Sequence, residues 1–461
     1  MENNSKKNLI RNLTLFDACA IVVGMVIGSG VFYKPAIVFK SAGSPTLGVL
    51  AWIIGGVIAL ASGLTMAEIA AAIPKTGGMF IYLRELYGEK YGFLYGWVQI
   101  MIYIPGSMAA LSVIFMTQLT EFVPLTHIQQ KVLAIILVAL VTTINILSTK
   151  LAGKFQSLAT IAKLIPVAVI IGLGFFIGKI SPATTTYVAN EGDVLTGFAA
   201  AILGTLWAYD GWIDVGNVAG EIKNPKRNLP LAIGGGLIII TLIYVLFNLA
   251  IAKILPFADI VGSEKVASDT LSLIMGGNSS KFVTIGIMIS IIGALNGCIM
   301  TGVRIPFAMA KENIIPFSDF FGKIDDRFQT PLNSFLIQTI VSVAFVIVGS
   351  FNLLTDLIMF VMWIFFTMGT FGVFILRAKR KDIKRSYKVP LYPLTPIVGI
   401  IGGLYIVIST LINNFLFAAV GVGITLLGLP IYYLTIGKKN TKVIGNLEEL
   451  EELEELEELE E

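Results

Sequence analysis

Apolar residues in this chain fall in long continuous runs separated by short polar connectors. A helix of about 20 such residues crosses about 30 Å of hydrocarbon. Twelve runs reach that length, over roughly 13–40, 46–72, 92–120, 128–148, 153–178, 194–219, 229–254, 281–310, 332–350, 354–377, 391–412 and 414–436. Backbone groups inside hydrocarbon must be satisfied within the spanning structure, which allows helices or closed barrels, and these runs are far too long for alternating barrel strands. The pattern predicts an all-α integral membrane protein with twelve transmembrane helices.

Two runs are interrupted at their centres. The first carries "GMVIGSGVF", with Gly28-Ser29-Gly30 where unbroken side chains are expected, and the sixth, "GTLWAYDGWIDVGNVAGE", places Asp210, Gly211 and Asp214 in mid-membrane. The two breaks lie five spans apart. Five is odd, so the second unit enters the bilayer in the opposite orientation, as in an inverted repeat with two broken helices. This divides the chain into helices 1–5 over 13–178, helices 6–10 over 194–377, and a final pair over 391–436.

Lysine and arginine orient the spans. They cluster in the N-terminal tail (1–12), in the loops after the second, sixth and eighth spans, and above all in "RAKRKDIKRSYK" after the tenth. Alternate loops are nearly bare of them, apart from a mixed-charge stretch between the seventh and eighth spans. Cytoplasmic loops are enriched in these residues, so both termini are expected in the cytoplasm of a multi-pass cell-membrane protein.

Composition agrees: 56% of the 461 residues are hydrophobic and 14% charged, with a mean hydropathy of +0.84. The formal charge of +3 hides an acidic tail over 437–461, whose Leu-Glu-Glu repeat holds ten Glu, so the rest of the chain carries about +13. Those positive charges follow the loops, which suits membrane topology and not nucleic-acid binding. A period of three drifts around a helix and builds no sustained seam, so the tail reads as a solvated low-complexity end. Cys19, Cys298 and the single His127 assemble no disulfide framework, metal site or histidine relay. No cofactor is expected, and the N-terminus has no cleavable signal pattern.

The breaks carry the candidate chemistry. Unwinding at Gly28-Ser29-Gly30 gives the outer half-helix a new N-terminus, whose N–H groups and partial positive charge suit a carboxylate. The inner half ends at Val26 and Ile27 with carbonyls that, with those freed near Trp207 and Asp210, suit an ammonium group. Together they match an amino acid's zwitterion. The alternative for Gly24 and Gly28 is a small-residue packing face; the matching break in the sixth span favours the site. Lys163 lies about 15 Å into the fifth span at 1.5 Å per residue, and reads either as a fixed cation beside the unwound first span or as half of a packing ion pair. Asp210 is open between a cation-attracting group, a proton carrier and a cap for the resumed helix. Trp207 either covers a ligand or packs as an ordinary tryptophan. Glu68, Asp17 and Arg304 read as structural or gating charges.

With "GMVIGSGVF", "PKTGGMFIYLRELYG", "IAKLIP", "LWAYDGW", "GALNGCIMTGVRIPFAMAKENIIP" and "RSYKVPLYP" in order over 13–436, the sequence resembles the bacterial-type L-type amino acid transporters of the amino acid-polyamine-organocation superfamily. The resemblance implies a LeuT-like arrangement of five plus five helices with two added. It implies sodium-independent exchange of L-amino acids, with Gly28, Ser29 and Gly30 at the carboxylate and carbonyls of Val26, Trp207 and Asp210 at the amine. Trp207 matches the aromatic that occludes substrate, Lys163 the lysine standing in for a sodium ion, and Tyr244 and Asn296 polar positions on the cytoplasmic side. Many animal members pair by disulfide with a single-span glycoprotein through a cysteine between the third and fourth spans. That loop, "TEFVPLTHIQQ", has none, so no such heavy-chain partner is expected.

Two other readings stand beside exchange of small neutral amino acids such as alanine, serine and cysteine. One is a proton-coupled symporter in which Lys163 or Asp210 titrates, and larger neutral or cationic substrates also stay open. The other is an intramembrane enzyme. An aspartyl protease of that kind needs a second Asp in a Gly-x-Gly-Asp context, and the one Gly-Asp here, Gly192-Asp193, lies in a loop. His127, at an interface, does not support a serine-type hydrolase.

Overall fold

The computed structural model describes residues 13–73, 78–147, 159, 163–180, 194–216, 222–328, 330–381 and 385–435. Among them, eight helices are long and apolar enough to cross a membrane, and two more form one span bent by 48° at its middle. The bent pair is α1 (Leu15–Val26) and α2 (Gly30–Ala42). Next come α3 (Pro45–Ala72), a short α4 (Gly78–Tyr87), and a span built from α5 (Glu89–Val98), a π-helical turn over Gln99–Tyr103, and α6 (Ile104–Leu119). The chain continues with α7 (His127–Leu147), α8 (Leu164–Phe176), α9 (Val194–Ala208) and α10 (Pro225–Ile254). Short helices α11 (Phe257–Gly262) and α12 (Val266–Met275) precede α13 (Gly277–Gly302), which α14 (Arg304–Lys311) prolongs. After a single turn, α15 (Ser318–Phe321), come α16 (Leu332–Val348), α17 (Phe351–Lys379), α18 (Leu394–Asn413) and α19 (Phe415–Leu426).

The shorter apolar helices α8, α9 and α16 fall in the fifth, sixth and ninth predicted runs. Most of 153–162, all of 217–219 and both tails lie outside the described residues. The only paired extended backbone among the described residues is one parallel bridge between Leu13 and Ile222, which ties the entry of the first span to the exit of the sixth.

Local chemistry sets several starts. Thr14 and Asp17 form a reciprocal capping box at α1, Thr14 N–H donating to the Asp17 carboxylate at 2.8 Å. Ser44 caps α3 ahead of Pro45, which has no N–H to satisfy and suits the first helical position. Ser350 does the same for α17, accepting from Leu353 N–H at 3.4 Å.

Burial sorts the spans into centre and rim. In its most apolar stretch α17 is 72% buried, while the last span, Phe415–Thr435, is 17% buried. Exposed Phe176, Ile128 and Leu416 would be costly in water and are at home against lipid tails. The protein is therefore a helical membrane protein whose most buried long spans are α3, α5–α6 and α17.

Candidate functional site

At the first break, the helical pattern ends with Ile27 N–H donating to Val23, and Ile27 itself turns extended (φ −72°, ψ 90°). Helical bonding resumes where Phe32 N–H reaches the Ser29 carbonyl at 3.1 Å. The first N–H groups of a helix have no carbonyl one turn back, so donors are concentrated at Gly28, Ser29 and Gly30. The Ser29 hydroxyl is buried and has no hydrogen-bond partner among the described residues. The two glycines do different things. A Cβ at Gly28 would meet only the Val26 carbonyl, at 3.9 Å, so there is space beside it; one at Gly30 would lie 2.6 Å from Ala208 Cα, so Gly30 is what allows α2 to touch α9.

The sixth span breaks in the same layer. After Ala208 the chain makes tight turns, with Asp210 N–H to the Trp207 carbonyl at 3.4 Å and Asp214 N–H to that of Gly211 at 3.2 Å. Gly211 takes φ +102°, a left-handed conformation that glycine adopts without steric cost, and it lies against Met25. Tyr244 of α10 joins the two breaks: its buried hydroxyl is 2.9 Å from the Val26 carbonyl and 2.9 Å from that of Ala208. A phenol has one proton, so it serves one of these carbonyls at a time. Tyr244 is held by Trp52 and Tyr209, with ring centroids 5.5 and 5.1 Å away, and Tyr209 in turn donates to the Trp52 carbonyl at 2.8 Å.

Each expected residue has a definite place. Lys163, at the start of α8 and 4% exposed, donates from Nζ to the Gly24 carbonyl in the last turn of α1. Trp207 packs edge-on against Phe351, with centroids 6.2 Å apart, and against the backbone at Gly30. Asp210 accepts from the Tyr103 hydroxyl at 2.6 Å, and Tyr103 closes the π-helical turn of the third span. Such turns add one residue to a helix and often sit at functional sites. Asn296 lies apart from the breaks: it is buried between α13 and α7, accepting from the Asn145 amide at 2.9 Å. The carbonyl brought opposite Val26 is that of Ala208, one residue from the expected Trp207, because Trp207's carbonyl turns back to Asp210 N–H.

Sequence reasoning read Tyr209 only as crowding the sixth-span site, and it passed over Tyr103, Ala208 and the pair Lys34 and Asp356. The last two had a readable signal, since each is a charge within an apolar run. Nothing local marked Tyr103.

Glu68, read as structural or gating, is fully buried at the end of α3. Arg377 donates to it through Nε at 2.9 Å and Nη2 at 2.7 Å, and Val389 N–H adds a third bond at 2.7 Å. Burial also pushes the nearby Tyr387 hydroxyl up to about 12, and the Glu68 charge adds to that.

The family model for amino acid permeases matches residues 13–437. The serine/threonine exchanger SteT of Bacillus subtilis (strain 168) is 40% identical over 433 residues, covering 94% of this chain and 98% of that protein. Mammalian relatives are more distant. The b(0,+)-type amino acid transporter 1 of Mus musculus is 29% identical over 88% of this chain and 84% of its own. The large neutral amino acids transporter small subunit 2 of Homo sapiens is 29% identical over 93% and 81%. A permease that spans the membrane many times, and no enzyme, accounts for two helix breaks that face each other across one hydroxyl, and the chain belongs to the amino acid permease family.

Proposed function

We propose that this chain is a sodium-independent exchanger of small neutral L-amino acids. The observation that carries the reading is the Tyr244 hydroxyl set 2.9 Å from a carbonyl of each broken helix, beside the donor-rich Gly28-Ser29-Gly30 turn. The substrate carboxylate takes the N–H groups of Gly28, Ser29 and Gly30, with the buried Ser29 hydroxyl close by. Its ammonium takes carbonyls at the inner ends, among those of Val26, Trp207 and Asp210, and the one that Tyr244 leaves at Val26 or Ala208 is the natural acceptor. Lys163 fixes the end of α1 with a charge that needs no ion from solution. Trp207 covers the substrate from the α2 side.

Substrate size follows from crowding by Trp207, Tyr209 and Trp212, and agrees with SteT, named as an exchanger of serine and threonine, both small and neutral. Residues 13–178 and 194–377 act as inverted repeats, both termini face the cytoplasm, and the chain works without a disulfide-linked heavy subunit. Asn296 supports the cytoplasmic half through Asn145 and does not touch substrate.

A second reading, proton-coupled symport, has one observation in its favour: at the sixth-span break the Asp210 carboxylate accepts from the hydroxyl of Tyr103, a part-buried pair. One experiment separates the two. Labelled L-alanine or L-serine uptake is measured into liposomes containing only this chain, with and without internal amino acid, without sodium, and under an imposed pH gradient. Exchange predicts uptake that requires internal amino acid and ignores both ions; accumulation in empty liposomes driven by a pH gradient overturns it.

A further inference from the structure

Tyr103 is brought to the sixth-span break by an irregularity in the third span. Pro105 has no N–H to give to the Met101 carbonyl one turn back. Just before it the helix loosens into the π-helical turn over Gln99–Tyr103, where Ile104 N–H reaches the Gln99 carbonyl five residues away. The turn is backed by α13. A Cβ at Gly302 would collide with the Ile104 side chain, so glycine is what lets the third span come this close, and Cys298 Sγ lies 3.7 Å from the Ile104 carbonyl. From this fixed position the Tyr103 hydroxyl donates to Asp210 Oδ2 at 2.6 Å, a residue 107 positions further along the chain.

Asp210 is held from its own side as well, by its N–H on the Trp207 carbonyl and by Gly211 lying against Met25 of α1. A carboxylate at this depth is a strong attractor for a positive charge, yet among the described residues no ion pair reaches it. A tyrosine hydroxyl supplies a hydrogen bond and no charge, so the carboxylate keeps its charge but spends Oδ2 on an internal donor. An ammonium at the end of a substrate side chain could take that oxygen only by displacing the hydroxyl, and a guanidinium needs both oxygens for its fork. Displacement would leave the phenol without its acceptor, which is the costly half of breaking a buried hydrogen bond. A short neutral side chain makes no such demand.

We propose that Tyr103 is a positioning residue that sets the charge selectivity of the site: by holding Oδ2 of Asp210 it keeps cationic amino acids out and leaves the site to neutral ones. The inference rests on the reading of this chain as an exchanger of small neutral amino acids, whose refusal of lysine and arginine it traces to one hydroxyl. It concerns binding and not coupling, so its readout is separate from exchange.

Displacement of labelled L-alanine from the purified chain in nanodiscs is measured with unlabelled L-lysine and L-alanine, and the ratio of their half-displacing concentrations is the readout. In the native protein L-lysine is expected to act only at far higher concentration than L-alanine. Tyr103→Phe, which removes only the hydroxyl, is expected to lower the ratio by roughly tenfold or more. Tyr103→Phe/Asp210→Asn, which also removes the charge, is expected to restore the native ratio, as loss of a merely structural hydroxyl would not. Tyr103→Leu carries the test if Tyr103→Phe fails to accumulate in the membrane. A native ratio in the hydroxyl-free variants overturns the proposal, as does native protein that binds L-lysine as well as L-alanine, or a lowered ratio that survives Asp210→Asn. Failure of both hydroxyl-free variants to accumulate also overturns it, in favour of a hydroxyl that only holds the fold. Alanine exchange in liposomes is followed on the same proteins: a shifted ratio without exchange overturns the exchange reading alone, and exchange with an unshifted ratio overturns this inference alone.

Discussion

The two ends of α17 are both tied by ion pairs, and they are tied differently. At one end Glu68 is completely buried and receives three hydrogen bonds, two from Arg377 and one from Val389 N–H, while the Arg377 guanidinium lies 3.6 Å from the centre of the Tyr392 ring. At the other, Asp356 is partly exposed and receives one bond, from Lys34. Three directed bonds around a buried carboxylate fix the end of α3, the end of α17 and the following loop as one body. A single ammonium contact with a partly exposed carboxylate fixes much less. The same helix is therefore held by three bonds around a buried carboxylate at the Glu68 end and by one bond at the Asp356 end.

The largest expected effect tests the anchor. Arg377→Met leaves Glu68 buried and unpaired, which should cost about 3–5 kcal/mol and appear as a large drop in the thermal transition followed by size-exclusion chromatography. Lys34→Met, which leaves only the partly exposed Asp356 without its partner, should lower that transition by less than half as much; an equal drop would mean that the two ends do not differ. Between them, Lys163→Ala removes the cation that holds the end of α1. Exchange should fall at least tenfold with the protein still in the membrane, and unchanged kinetics would remove Lys163 from the mechanism. Tyr244→Phe deletes one hydroxyl shared by two carbonyls, a loss of about 0.5–1.5 kcal/mol for a typical hydrogen bond, and should slow exchange by roughly three- to tenfold with little change in melting. The smallest effect lies outside the comparison. Thr14→Ala removes the α1 cap and should cost about 1 kcal/mol without altering which amino acids exchange.

The sequence alone determined where the chain can enter lipid. Hydrocarbon offers no water to backbone groups, so every span must be a long apolar run, and α3, α7, α10 and α17 could be read to within a few residues. It also located both breaks, because glycine, serine and aspartate inside such runs are costly unless they have a use. Tertiary structure alone decided who meets whom. Lys34 and Asp356 are 322 positions apart, Glu68 and Arg377 309, and Tyr244 reaches back 218 to Val26. Hydropathy is a property of each segment by itself, whereas a partner for a buried charge or carbonyl is fixed by how helices pack, and no local pattern of residues records that.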